Sequence, residues 1–178
     1  AVIRNDDDEV LVVQRGEATD HPFKWEFPGG KLADGETEED CIIREITEEL
    51  SMDIVICGRL PDVEHDYGHK KIRLIPFICY TLNDLPLLTE HLAYRWLSAD
   101  EILMVDYSEA DVKVAESYLK SINVERKEEK TMAHSDTVVT PDDVSGLQDM
   151  VIRVRSTREA EWIATSAIEN PAIFNKLL

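Results

Sequence analysis

The sequence predicts a mixed α/β fold in which strands outnumber helices. Two observations carry that expectation. Short runs rich in Ile, Val, Phe, Tyr and Trp recur between polar or Gly/Pro turn clusters, and before residue 125 only two segments have the spacing of amphipathic helices. Residues 1–4 and 9–14 read as strands, with Asn5-Asp6-Asp7-Asp8 as the polar turn between them. Residues 21–31 read as irregular because they contain the breaker cluster Pro28-Gly29-Gly30. Thr37 opens the first helix, with Asp40 three residues on as a variant of the capping box, and Ile42, Ile46 and Leu50 form its buried stripe. Residues 53–60, 70–82 and 93–97 are expected as further strands. Ser108 caps a second helix whose Val112, Ala115, Leu119 and Ile122 are expected to face inward.

Composition narrows the function classes. Nineteen Lys and Arg face 37 Asp and Glu in 178 residues, a formal net charge of −18. Such a surface does not suit a nucleic-acid polymer or an anionic membrane, both of which require a basic footprint. Small phosphorylated ligands remain compatible, because a bound divalent cation reverses the local field. No apolar run reaches the length of a membrane helix and no secretory leader is visible, so the cytoplasm is the expected compartment. The chain opens on Ala1 rather than Met, which places its expected true start upstream. Cys41, Cys57 and Cys79 are too few for a disulfide framework or zinc site and read as small core hydrophobes.

Beyond residue 124 the composition changes. Residues 125–130 are a charge run and 135–143 are short of large side chains, so 125–145 is expected as a linker or long loop. Residues 150–155 alternate like an edge strand, and Ser156 opens a short helix carrying Trp162, Ile163 and Ala167. A piece of this size buries little core alone. Residues 146–178 are therefore expected to be a small α/β extension that packs on the main domain, residues 1–124, or forms a homodimer contact.

The chemistry is expected in the first helix. At about 100° per residue, Glu45, Glu48 and Glu49 share one sector beside the apolar stripe. Carboxylates at i, i+3 and i+4 repel unless cations intervene, and hard oxygen donors suit Mg²⁺ or Mn²⁺. Taken alone, the cluster equally fits a solvated acidic face. The residues around it decide between these readings. Gly30, Glu36, Arg44, Glu45, Ile46, Glu48, Glu49 and Met52 stand at the spacing Gly-x5-Glu-x7-Arg-Glu-U-x-Glu-Glu-x-Gly-U, where U is a bulky aliphatic. This resembles the Nudix box. One position departs: Ser51 stands where the family has a Gly that ends the helix at positive φ, a place where Ser costs about 1 kcal/mol.

Trp25-Glu26-Phe27-Pro28-Gly29-Gly30-Lys31 is similar to the MutT-type branch acting on nucleoside triphosphates. The resemblance spans residues 1–124. It implies an α/β/α sandwich around a mixed sheet and attack of water on a phosphorus of a nucleotide, releasing a nucleoside monophosphate and pyrophosphate. It also implies that Glu45, Glu48 and Glu49, with the Gly30 carbonyl, hold the metal, and that Arg44, paired with Glu36, orients the carboxylates. Glu90, six residues before Trp96, resembles a late loop carboxylate that binds metal or acts as general base. Arg15 and Lys31 are candidates for phosphate contact, while Trp25 and Phe27 suit either base stacking or the core. Asp111 matches a base-contacting position where 8-oxoguanine-directed members have Asn; a carboxylate there suits a cytosine amine. The MutT-like resemblance implies a modified nucleotide such as 8-oxo-dGTP as substrate, with a cytidine nucleotide or a non-catalytic nucleotide sensor as alternatives. His65 and His69 flank a turn and read as ordinary satisfied or exposed histidines.

Overall fold

A computed structural model describes the backbone of residues 1–132 and the side chains of residues 1–123. The expected extension, with its strand at 150–155 and its Trp162 helix, lies outside the described residues. The elements are β1 (Val2–Arg4), β2 (Val10–Gln14), β3 (Trp25–Glu26), α1 (Glu38–Leu50), β4 (Val55–Arg59), β5 (Val63–Asp66), β6 (Lys71–Leu74), β7 (Phe77–Tyr80), β8 (Ala93–Leu97) and α2 (Glu109–Met132). A six-stranded sheet runs β3-β2-β1-β7-β4, with β8 also paired to β2. It is mixed: β1 and β7 are parallel and the other pairings antiparallel. A separate hairpin joins β5 and β6.

Alternation along the central strands builds the layers. Val2, Val10 and Val12 point to one face, where Val114, Ala115 and Tyr118 of α2 cover them. Ile3, Leu11 and Val13 point to the other, against Ile42, Ile46 and Leu50 of α1. This is an α/β/α sandwich. Fully burying an aliphatic side chain such as Ile46 or Leu11 is worth about 1.5–3 kcal/mol.

Five expectations need correction. Residues 70–82 form two strands rather than one, because the break falls at Ile75-Pro76 and proline cannot donate to a ladder. Strands β3 and β5 were not expected; β3 has two residues, and its pairing with β2 comes from tertiary context rather than local pattern. Helix α2 continues through Met132, so residues 125–132, expected as the start of a linker, are helical; their Glu, Lys and Arg are strong helix formers. Val112 is exposed, since the buried stripe runs through Asp111, Val114, Ala115 and Tyr118, one residue out of phase with it. Among the cysteines, Cys41 and Cys79 are buried as expected but Cys57 is exposed.

The ends of α1 follow its sequence. Thr37 Oγ1 accepts the Asp40 N–H at 3.1 Å and donates to the Asp40 carboxylate at 2.8 Å. At the far end Ser51 adopts φ 52°, ψ 37°, and its N–H donates to Thr47 O. Ser51 thus occupies the left-handed conformation that glycine fills without strain. Ser51→Gly should raise stability by up to about 1 kcal/mol, read as an upward shift of the urea midpoint at unchanged slope. An unchanged or lowered midpoint would show that the left-handed cap carries no strain.

Candidate active site

Arg44 gathers the acidic side chains. Its Nε and Nη2 donate to Glu36 Oε1 and Oε2 at 2.7 and 2.9 Å, a bidentate fork. Its Nη1 lies 3.0 Å from Glu45 Oε1 and 3.2 Å from Glu48 Oε2, and Nη2 reaches Lys31 O at 3.4 Å. Glu36 also accepts the Ala33 N–H at 3.0 Å. The Arg44 guanidinium, helped by that N–H, holds the Glu36 carboxyl down to about 2. Its carboxylate neighbours, Glu36 first, raise Arg44 well above the ordinary guanidinium range.

Gly30 is required by close approach. A Cβ added there would stand 2.0 Å from the Glu45 carboxyl carbon, so any larger residue drives Glu45 away. The Lys31 N–H donates to Glu45 Oε1 at 3.2 Å, fixing the same carboxylate from the loop side. One turn on, Glu49 Oε2 is buried without a hydrogen-bond partner. Burial pushes the Glu49 carboxyl up to about 7; His91 opposes the rise, while Glu45, Glu90 and Glu26 add to it.

Residues predicted from sequence are only partly brought together. Glu45 and Glu90 lie within electrostatic reach of Glu49, whereas Glu48 is largely exposed and engaged by Arg44. Among the described residues, no three His, Cys, Asp or Glu side chains form a ready-made cation cage. The donors nonetheless fit a hard divalent cation: a buried carboxylate oxygen lacks a partner, a second carboxylate is fixed nearby by Gly30 and Lys31, and Mg²⁺ completes its shell with water and phosphate oxygens.

A cleft of about 720 Å³ adjoins this corner and is lined by Arg15, Phe27, Gly30, Lys31, Arg73 and Asp111, among others. Phe27 stacks on Tyr107 with ring centroids 5.5 Å apart. Asp111 is buried, accepting the Phe27 N–H at 3.0 Å through Oδ1 and the Ser108 hydroxyl through Oδ2. Burial pushes its carboxyl up to about 6, against the pull of these two donors. Trp25 packs against the core, and His65 and His69 sit around the Tyr67 ring.

Sequence reasoning missed Glu26, Thr89 and His91. Glu26 pairs with Arg15 through Oε2 and stands 3.3 Å from His91 Nε2 through Oε1. His91 is 65 residues away in sequence, and no local pattern announces the contact. The imidazole is almost fully buried, with Nδ1 unpartnered.

Glu49 makes stability depend on pH. Its folded-state value, about 7, lies above the ordinary 4.5, so its contribution is present below pH 4.5 and lost as pH rises through 7. With EDTA present, the wild-type urea midpoint should fall over that window more steeply than that of Glu49→Gln. Parallel profiles for the two proteins would remove Glu49 as the buried titrating group.

Comparison with known proteins agrees with this geometry. The NUDIX domain family matches residues 1–118. The 8-oxo-dGTP diphosphatase of Proteus vulgaris is 39% identical over 77 residues, covering 43% of this chain and 69% of that protein. The CTP pyrophosphohydrolase of Escherichia coli is 26% identical over 119 residues, covering 67% and 88%. The crystal structure of a MutT protein from Methanosarcina mazei superposes with a TM-score of 0.61 at 28% identity, covering 68% of this chain and 90% of that one. With its family match, its sandwich fold and its carboxylate helix in agreement, the chain belongs to the Nudix family of hydrolases.

Proposed function

We propose that this protein is a Mg²⁺-dependent nucleoside triphosphate pyrophosphohydrolase, Mn²⁺ being able to substitute, that converts modified nucleotides such as 8-oxo-dGTP to the monophosphate and pyrophosphate. The observation carrying this reading is the unpartnered, buried Glu49 Oε2 within electrostatic reach of Glu45, whose carboxylate sits against Gly30 in the wall of a cleft that Arg15 and Lys31 also line. A bound divalent cation supplies charge neutralisation of the polyphosphate and an acidified water. Glu49 and Glu45, with Glu48, Glu90 and the Gly30 carbonyl, would hold it. Arg44 keeps the carboxylates on one side of α1 despite their repulsion. Arg15 and Lys31 take up phosphate charge at the cleft wall, and Phe27 offers a ring face to the base. Glu90 is assigned the proton of the attacking water. It is exposed beside Glu49, whereas Glu45 Oε1 already accepts from Lys31 and pairs with Arg44.

Pyrophosphate release from a panel of ordinary and oxidised nucleotides tests the reading. Glu49→Gln should lower turnover at saturating Mg²⁺ by about 10²-fold, corresponding to about 3 kcal/mol, with the fold intact by circular dichroism. Near wild-type turnover in that variant would remove Glu49 from the metal site.

A cytidine substrate is the second reading, favoured by Asp111. An ionised carboxylate only accepts hydrogen bonds and so suits the cytosine amine, and one similar protein is a CTP pyrophosphohydrolase. Asp111→Asn retains an oxygen for the Phe27 N–H, so kcat/KM should shift between cytidine and guanine-type nucleotides with unchanged Mg²⁺ dependence. An equal loss on every substrate would make Asp111 a tether between α2 and the Phe27 loop rather than a base reader.

A further inference from the structure

The loop of residues 87–92 carries Glu90 and is docked on the C-terminal turn of α1. Leu87 N–H donates to Leu50 O at 2.8 Å and Thr89 N–H to Glu49 O at 3.0 Å. Thr89 Oγ1 lies 3.2 Å from both Glu48 O and Glu49 O. These carbonyls belong to the last turn of the helix, where the helical ladder provides no donors. The loop thus satisfies groups that would otherwise need water, and does so on the residues whose side chains form the acidic cluster. Leu92 N–H donates to Gln14 O at 3.0 Å and closes the span on β2.

Only Glu90 and His91 lie between the Thr89 and Leu92 anchors. Such a short span between fixed points leaves the backbone little freedom. His91 adds a side anchor through its contact with Glu26. Glu90 lies within electrostatic reach of Glu49, and the residue just before it is attached to the backbone of Glu49 itself. Thr89 is exposed and packs in no core cluster, so its hydroxyl has no evident task apart from this docking.

We propose that Thr89 is a positioning residue for the hydrolysis: its hydroxyl anchors the loop of residues 87–92 to the last turn of α1 and thereby sets Glu90 against Glu49. This rests on the assignment of Glu49 and Glu90 to the site. Thr89→Val keeps the β-branched shape and the backbone N–H but removes the donor, while Thr89→Ser keeps the donor.

Thr89→Val should lower kcat about tenfold or more with KM for the nucleotide and the melting temperature nearly unchanged. Mn²⁺ binding without nucleotide, followed by electron paramagnetic resonance, should weaken by a similar factor, and Thr89→Ser should restore both. Glu90→Gln, measured alongside, separates the two levels. If Glu90→Gln is impaired while Thr89→Val has wild-type kcat and Mn²⁺ affinity, the site assignment stands and the anchoring role is overturned. If both variants behave as wild type, Glu90 lies outside the site and the proposal falls with that assignment. A Thr89→Val loss that matches its drop in folded fraction, without a change in Mn²⁺ affinity, makes Thr89 merely structural and also overturns it.

Discussion

One guanidinium holds the acidic corner of this protein together. Arg44 forks onto Glu36, pairs with Glu45 and Glu48, and reaches the Lys31 carbonyl. Without a central cation, carboxylates one turn apart on a helix would push one another toward solvent. Arg44 counters that repulsion and ties α1 to the Gly30–Lys31 loop in the same contact. The loop then approaches so closely that only glycine fits beside Glu45. The tie to the loop and the orientation of Glu45 both follow from this side chain.

Glu49 has a different environment on the same helix. It lies outside the reach of Arg44, is more deeply buried, and has one oxygen without a partner. The two environments pull the carboxyls apart: Glu36 is held near 2 and Glu49 is raised to about 7. Burial without compensation costs stability, and a site that recruits a cation concentrates that cost where the cation binds. The protein as a whole is strongly acidic, yet Arg15, Lys31, Lys70 and Arg73 line its cleft. Asp20, Glu26, Glu38 and Asp111 line it as well, so the lining is charge-balanced and far less negative than the chain as a whole.

Both ends of α1 are secured by residues outside it, and this rigidity positions the carboxylates. Thr37 caps the start, Ser51 turns the chain in a left-handed conformation, and the loop of residues 87–92 covers the last carbonyls. The site is built on a helix anchored at both termini rather than on free loops. Its side chains therefore have a fixed frame from which to work.

The sequence by itself determined the two layers of α1 and the central strands, because a buried stripe at helical spacing and alternation of apolar residues are local periodicities. It also determined the acidic helix face through its spacing, and the motif's family resemblance implied the Glu36–Arg44 pair; the close approach that requires glycine at position 30 was decided by the fold. Tertiary structure alone decided the rest. Strand β3 has two residues and exists through pairing with β2. Pro76 divided an apolar run that looked continuous. Glu26 met His91 across 65 residues and Thr89 met Glu48 across 41, and Glu49 acquired its raised carboxyl from burial that no spacing encodes. Periodicity reports which face of an element is apolar, but contact between distant segments and the dielectric around a charge are set only when the chain has closed on itself.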